Sequence, residues 1–187
     1  MIKRSFFVIV MLQLVSCANM QEKPVSAFDL SARENLYSKT EWSFTGRIVI
    51  FDKENSMSAN LTWKHTEKKE KIILSGLFGM GKTRITLTPG QTEIESEGER
   101  AIYYGDANSV IYSRLGIQVP VTALKFWVLG LVDPDAIYLK KEAGFEQYGW
   151  KITYLQMKFI AGYELPRKIR VEQDGTKVKL IVSQWDI

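Results

Sequence analysis

The chain is poor in the residues that most often build catalytic and metal-binding sites. Its 187 residues include one cysteine, one histidine and five prolines. With no Cys/His cluster, no nucleophile elbow and no second histidine, the usual catalytic and zinc-binding arrangements have no material. We therefore predict that the protein is not an enzyme and holds no metal. The histidine, His65, is flanked by Lys64, Thr66, Glu67 and Lys68, a setting typical of a solvated turn.

An excess of one charge sign is also lacking. The sequence has 25 basic and 21 acidic side chains, and Lys3 and Arg4 belong to the N-terminal signal described below, so 23 basic residues would remain. No basic block occurs along the chain. A nucleic-acid partner is therefore not expected. The roughly 170 remaining residues suit one domain with a sizeable core.

The N-terminal segment has the pattern of an export signal. Lys3 and Arg4 precede the apolar run FFVIVMLQLV, whose ten residues suit a signal peptide but are too few for a membrane-spanning helix. The run ends in LVSC, which resembles the lipobox of bacterial lipoproteins. We expect residues 1–16 to be the signal peptide, Cys17 to carry covalent N-acyl and S-diacylglycerol lipid, and residues 17–25 to form a tether. The alternative is an ordinary cleaved signal with a chance cysteine.

The residue after the lipobox bears on the destination. By analogy with enterobacterial lipoproteins, Asp after the cysteine favours retention in the inner membrane, and this chain has Ala18 instead. We expect a lipid-anchored protein of the bacterial outer membrane that faces the periplasm.

A glycine-rich stretch fits the P-loop pattern. It is GLFGMGKT, residues 76–83. A P-loop joins a strand to a helix, but the following RITLTP alternates apolar and polar residues as a strand does. The stretch is therefore predicted to be a hairpin connection. Its apolar residues Leu77, Phe78 and Met80 predict an exposed tip that contacts a membrane or a partner, the alternative being a loop folded back onto the core.

The rest of the chain has the pattern of an antiparallel α+β protein. A first helix is predicted over residues 26–39 from its apolar side. Alternation of period two then predicts strands over residues 42–50, 59–64, 71–75, 83–88, 92–96, 100–104, 150–159, 168–173 and 177–184. Two helices interrupt them, one over 107–115 between Asp106 and Gly116, the other over 121–129 between Pro120 and Gly130.

Short motifs follow one another from the first strand to the last. They are Trp42-x-Phe44-x-Gly46-Arg47, Leu61-x-Trp63, Ser75-Gly76-Leu77-Phe78-Gly79, Gly116-x-x-Val119-Pro120, Phe126-Trp127-Val128-x-Gly130-Leu131, Gly149-Trp150-Lys151-Ile152-x-Tyr154, Leu165-Pro166 and Val182-x-x-Trp185. In this order, and together with the lipobox, they resemble the LolB family of outer-membrane lipoprotein receptors. The chain departs from the family at Leu77 and Phe78, where Pro and Leu are expected, which leaves the rigidity of that loop open.

The resemblance implies a fold and a function for residues 26–187. The fold would be an incomplete antiparallel β-barrel, a half-barrel whose open side is covered by helices, with an apolar cavity between. The protein would accept lipoproteins from the periplasmic carrier LolA through their acyl chains and incorporate them into the outer membrane, without nucleotide hydrolysis. It would act as a monomer, and the loop around Phe78 would contact the outer-membrane lipid.

The inward-facing side of the strands is expected to supply the acyl-chain cavity. The candidates are Trp42, Phe44, Ile48, Leu61, Trp63, Leu74, Ile85, Leu87, Trp127 and Trp150. Alternation identifies a buried face but not a void behind it, so ordinary core packing is the alternative for each. Two other classes of protein stay open: a structural or assembly lipoprotein with a filled core, and a P-loop nucleotide-binding enzyme.

Overall fold

A computed structural model describes residues 25, 27–52, 56–76 and 81–187. The predicted lipidation site Cys17 and the predicted loop tip, Leu77, Phe78 and Met80, lie outside the described residues. The predicted signal peptide and nearly all of the tether also lie outside them.

The described chain contains one 3₁₀ helix, two α-helices and eleven strands. The 3₁₀ helix is Ser31–Ser38, and α1 and α2 are Ala107–Leu115 and Val121–Trp127. The strands are β1 Glu41–Phe51, β2 Ser56–Thr66, β3 Lys69–Ser75, β4 Lys82–Thr88, β5 Gln91–Ser96, β6 Glu99–Tyr104, β7 Tyr138–Lys141, β8 Gly144–Gln147, β9 Trp150–Ile160, β10 Tyr163–Gln173 and β11 Thr176–Asp186.

The strands form one antiparallel sheet in the order β6-β5-β4-β3-β2-β1-β11-β10-β9-β8-β7. Strands β1 and β11, the first and last in the chain, are neighbours at its centre, with Phe44 opposite Trp185. Strands β6 and β7 form its two edges and are not paired with each other. The sheet is thus open, and α1 and α2 cover its concave face, which confirms the predicted half-barrel.

Antiparallel pairing sorts the connections into two rims. We call the upper rim the end at which β1–β2, β3–β4, β5–β6, β8–β9 and β10–β11 are connected and β7 begins. The lower rim is the opposite end, where β2–β3, β4–β5, β7–β8 and β9–β10 are connected. The predicted loop tip belongs to the β3–β4 connection, whose flanking residues Ser75 and Lys82 pair at the upper rim.

The two α-helices begin where the sequence predicts. The Asp106 carboxylate accepts a hydrogen bond from Ser109 N at 2.7 Å and caps α1, which ends at Gly116 with φ at 67°. Asn108 of α1 binds Thr122 of α2 through Nδ2 to Oγ1 at 2.8 Å, which links the helices. Helix α2 ends at Trp127, two residues earlier than predicted.

The predicted first helix is wrong in its beginning and its type. Asp29 Oδ1 accepts hydrogen bonds from both Ser31 N and Ser31 Oγ, which starts a 3₁₀ helix at Ser31. Residues 27–29 before it are not helical: Phe28 N donates to Glu142 O at 3.1 Å, and the Phe28 ring stacks on Tyr154 with centroids 4.3 Å apart. Phe28 therefore packs against the sheet instead of the side of a helix.

Candidate functional site

An apolar cavity lies between the concave face of the sheet and the two α-helices. Fourteen aliphatic side chains and Trp63 line it. Strands β1–β4, β10 and β11 contribute Ile48, Leu61, Trp63, Ile72, Leu74, Ile85, Ile169, Val171, Val178 and Leu180. The helices and the segment between them contribute Ile111, Ile117, Val119, Val121 and Leu124. Such a surface binds hydrocarbon and offers nothing to a charged or strongly polar ligand.

Half of the residues predicted for the cavity line it. They are Ile48, Leu61, Trp63, Leu74 and Ile85, from four adjacent strands. In each strand the buried positions alternate with more exposed ones, so the apolar side faces the helices. Contact of these side chains with acyl chains remains a prediction.

The other five predicted residues are buried but do not line this cavity. Trp42 and Phe44 pack with Trp63 and Trp185 in an aromatic cluster, the Trp42 ring 5.8 Å from Trp63 and the Phe44 ring 4.9 Å from Trp185. The remaining three are Leu87, Trp127 and Trp150. Trp42 lines a separate, partly polar pocket of about 80 Å³, and Leu87 lines a polar surface cleft. Contact of these five side chains with acyl chains also remains a prediction.

Sequence reasoning predicted the α1–α2 lid over the open side but missed its cavity-lining residues, such as Ile111 and Leu124, and the second half of the wall. Ile169, Val171, Val178 and Leu180 lie at alternate positions of β10 and β11, and these strands were predicted. The signal was therefore present, but only the sheet order shows that β11 lies beside β1 and completes the wall.

The cavity is small in this structure. Its volume is about 40 Å³. A water-sized group needs roughly 10–15 Å³ by this measure, so about three such groups fit. One acyl chain needs far more room than this. Binding of such a chain requires α1 and α2 to move away from the sheet.

A buried polar network ties the C-terminal end of α2 to the sheet. Gln147 Oε1 of β8 accepts from Trp127 Nε1 and from Asp133 N, both at 2.9 Å. Gln147 Nε2 donates to Asp133 O at 2.8 Å and to Ala136 O at 3.0 Å. Tyr154 Oη donates to Trp127 O at 2.9 Å, and burial raises the pKa of that phenol well above its usual range. This end of the lid is held by hydrogen bonds as well as by apolar contacts.

His65 is not in a solvated turn, contrary to the prediction. It is the tenth residue of β2, and its Nδ1 lies 2.6 Å from Glu70 Oε1 across the β2–β3 hairpin. Its ring stacks on Trp42 at 5.0 Å, and the second Glu70 oxygen accepts from Trp63 Nε1 at 2.8 Å. The carboxylate of Glu70 explains why the histidine is half-buried: it supplies a partner that the flanking charged residues do not reveal.

The structure describes both flanks of the P-loop-like stretch. Lys82 and Thr83 begin β4, and Lys82 pairs with Ser75 of β3. No helix begins at these described flanks, whereas a P-loop leads directly into a helix. The prediction of a hairpin connection is confirmed for its described flanks.

Membrane-spanning helices and metal-binding clusters are both absent from the described residues. Within residues 25, 27–52, 56–76 and 81–187, no helix is long and apolar enough to cross a membrane. In the same ranges, no three His, Cys, Asp or Glu side chains are grouped to hold a metal ion.

Comparison with known proteins adds a family to this geometry. A family model described as outer membrane lipoprotein LolB matches residues 40–185. The chain is 27% identical to the outer-membrane lipoprotein LolB of Vibrio campbellii over 98% of each chain. It is 30% identical to that of Stutzerimonas stutzeri, with 82% of this chain and 77% of the relative covered.

Solved structures support the fold. A LolA superfamily protein from Nitrosomonas europaea superimposes with a TM-score of 0.55 at 7% identity, over 84% of this chain and 91% of that one. A DUF1329 family protein from Desulfovibrio piger gives a TM-score of 0.53 at 11% identity, over 87% and 92% of the two chains. The half-barrel fold is thus shared beyond detectable sequence similarity, and the match over residues 40–185 shows that this chain belongs to the LolB family of outer-membrane lipoproteins.

Proposed function

We propose that the protein is a receptor anchored in the outer membrane through lipid on Cys17. It accepts lipoproteins from a LolA-type periplasmic carrier and releases them into the outer membrane. The observation that carries the proposal is the wholly apolar cavity between the sheet and the α1–α2 lid. Family membership over residues 40–185 supports the same function.

The energetics explain why such a receptor is needed. A bacterial lipoprotein carries about three acyl chains, and at roughly 0.8 kcal/mol per buried CH₂ their release into water would cost on the order of 30 kcal/mol. Transfer from one apolar cavity to another avoids this cost. The bilayer then accepts the chains from the receptor. Each step exchanges one apolar environment for another, so the proposed cycle uses no nucleotide.

The lid has the properties that this cycle requires. Its cavity-facing side contacts the sheet through aliphatic residues such as Ile111 and Leu124, which separate without leaving polar groups unpaired. The C-terminal end of α2 is held by Gln147 and Tyr154. We expect α1 and the start of α2, joined through Asn108 and Thr122, to swing outward about this end when an acyl chain enters.

A transfer experiment tests the proposal. A complex of the LolA-type carrier with a tagged lipoprotein is incubated with the purified protein, and the two are then separated. We expect the lipoprotein to be recovered with this protein, without added nucleotide. Retention on the carrier would overturn the receptor function and leave a structural or assembly lipoprotein as the better assignment.

A further inference from the structure

Four exposed apolar side chains form a patch at one corner of the sheet, away from the cavity. They are Ile137, Tyr138, Leu139 and Tyr148, which we call the β7 patch. Ile137 is 94% exposed and Leu139 is 61% exposed. All four residues of β7 are exposed to solvent, and of the apolar ones Tyr138 also contacts the buried Phe145 ring, with centroids 6.2 Å apart. Because Tyr138 pairs with Gln147, Ile137 and Tyr148 both lie just beyond this end of the β7–β8 pairing, and the Tyr148 hydroxyl donates to Asp133 Oδ2 at 3.0 Å. Single exposed apolar residues are ordinary, but a group of four on an edge indicates a contact surface.

The N-terminal segment leaves the domain next to the same hairpin. Val25 N donates to Tyr154 O and Phe28 N to Glu142 O, both at 3.1 Å, so the segment lies beside the β7–β8 turn. Cys17 is eight residues before Val25. Eight extended residues span at most about 28 Å. A lipid on Cys17 therefore keeps the β7–β8 turn, at the lower rim, within about that distance of the bilayer.

The position of the patch suits a membrane surface. The start of β7 is four or five residues from the β7–β8 turn, roughly 15 Å along the sheet, which is well within the reach of the tether. It is at the upper rim, where the β3–β4 connection also leaves the sheet. When the upper rim faces the bilayer, Ile137 faces it as well.

The charges of β7 argue against another strand as its occupant. Lys140 and Lys141 follow the apolar residues and are exposed. Lys141 Nζ lies 3.3 Å from Glu146 of β8, and Lys140 interacts with Asp29. Lysines on an edge strand oppose pairing with another chain, which disfavours a second strand as the occupant and leaves the bilayer that holds the anchor.

We infer that the β7 patch is a second membrane-contact surface, which inserts into the interface of the phospholipid bilayer that holds the lipid anchor. The inference rests on the proposed function through the lipid on Cys17. It adds a surface to the predicted loop tip and fixes the orientation of the domain during release, with the upper rim toward the lipid.

Depth-dependent fluorescence quenching tests the inference on the lipidated chain. Ile137→Cys and Phe159→Cys are each labelled with the fluorophore NBD. Only the introduced cysteine reacts, because the Cys17 thiol is consumed by its lipid. Phe159 is a matched control: it is 73% exposed and five residues from Tyr154 toward the lower rim. The labelled proteins are placed in phosphatidylethanolamine–phosphatidylglycerol vesicles with or without brominated acyl chains. We expect brominated lipid to reduce emission from position 137 at least twofold and to leave position 159 almost unchanged. Adding Leu139→Glu to the Ile137→Cys variant is expected to abolish most of the quenching.

The outcomes separate the patch from the anchor. Co-flotation with vesicles but equal or absent quenching at both positions would overturn the patch and leave the anchored receptor intact. Failure to co-float, or labelling of Cys17 detected by mass spectrometry, would overturn the anchor and the patch with it. The NBD group at position 137 could instead be shielded from water to a degree that rises with protein concentration and not with lipid. This result would overturn the membrane contact and assign the patch to a second copy of the chain.

Discussion

Gln147 Oε1 accepts a hydrogen bond from Trp127 Nε1 at 2.9 Å, which ties the last residue of α2 to β8. Gln147 also satisfies the backbone around Asp133 with three further bonds. Gln147→Leu would leave the Trp127 N–H, the Asp133 N–H and the half-buried Ala136 carbonyl without these partners, at about 1–3 kcal/mol for each group, while the Asp133 carbonyl keeps its bond from Ala136 N. We expect the free energy of unfolding to fall by at least about 3 kcal/mol in urea denaturation. Gln184→Leu, at an exposed position of β11, serves as the control and is expected to change it by less than about 0.5 kcal/mol. A smaller loss for Gln147→Leu would show that the network does not hold the lid.

The centre of the sheet depends on a close approach at Gly46. A Cβ atom on Gly46 would lie 2.2 Å from the carbonyl oxygen of Ile181 in β11, next to the irregularity in the β1–β11 register. Gly46→Ala forces the two strands apart, and we expect a loss of about 2 kcal/mol or more in urea denaturation. Gly81→Ala has nothing within 4 Å of the added atom and is expected to be neutral. Equal stability of the two variants would contradict the close contact between β1 and β11.

The parts of the fold that were predicted are those in which local pattern and tertiary environment agree. Strands such as β2 alternate because one face meets the core, and Asp106 and Gly116 bound α1 through their own backbone chemistry. The β7–β8 hairpin was missed because its strands have four residues each and YLKK does not alternate. Its strands are defined by their partners: Phe145 pairs with Ile152 and Tyr138 with Gln147.

The candidate site was predictable in its chemistry but not in its outline. Alternation identified Ile48 and Ile85 on a buried apolar face, and both line the cavity. It did not distinguish them from Trp42 or Trp150, which are equally buried but do not line this cavity. That distinction depends on where α1 and α2 cross the sheet, and no local pattern specifies it. His65 was misplaced for a related reason, since its partner Glu70 is on the next strand.

The cap of α1 makes part of the stability depend on pH. Hydrogen bonds from Ser109 lower the pKa of Asp106 from its ordinary value of 3.8. Because the pKa is lowered in the folded state, the contribution of the Asp106 cap to the free energy of unfolding is present above pH 3.8. It is lost as the pH falls through the folded-state pKa. We expect Asp106→Ala to cost about 1 kcal/mol at pH 7 and the difference from the unmodified protein to shrink below about pH 3.8 in urea titrations. Glu99→Ala, an exposed carboxylate on β6, is the control without a capping bond. A difference for Asp106→Ala that stays constant down to about pH 2 would contradict the charged cap.

Substitution of Phe78 in the β3–β4 connection tests whether acceptance and release of lipoprotein are separable. If Leu77, Phe78 and Met80 form an exposed tip, their burial in lipid stabilises the contact by roughly 1.5–3 kcal/mol each. Phe78→Glu is then expected to keep normal thermal stability and normal acceptance of lipoprotein from the carrier, but to deliver it poorly into liposomes. Lys82→Ala, at the shoulder of the same hairpin, is expected to retain nearly normal activity. A clear drop in melting temperature for Phe78→Glu, or unimpaired delivery, would defeat the membrane-contact role of the tip.

The last prediction tests whether the cavity itself receives acyl chains. Val119 lies in the segment between α1 and α2 and lines the cavity, while Val132 is equally buried elsewhere in the core. Val119→Phe places a larger side chain where the acyl chain must enter, and each substitution overpacks its site at a cost of about 1–3 kcal/mol. We expect Val119→Phe to weaken uptake of a fluorescent fatty acid at least fivefold and to slow acceptance of lipoprotein, whereas Val132→Phe keeps both. Because the stability cost is similar, a fall in uptake restricted to Val119→Phe reports occupation of the cavity and not general loosening of the core. Equal uptake by the two variants would mean that acyl chains bind outside the void beneath α1 and α2, and the receptor would then need another lipid-binding surface.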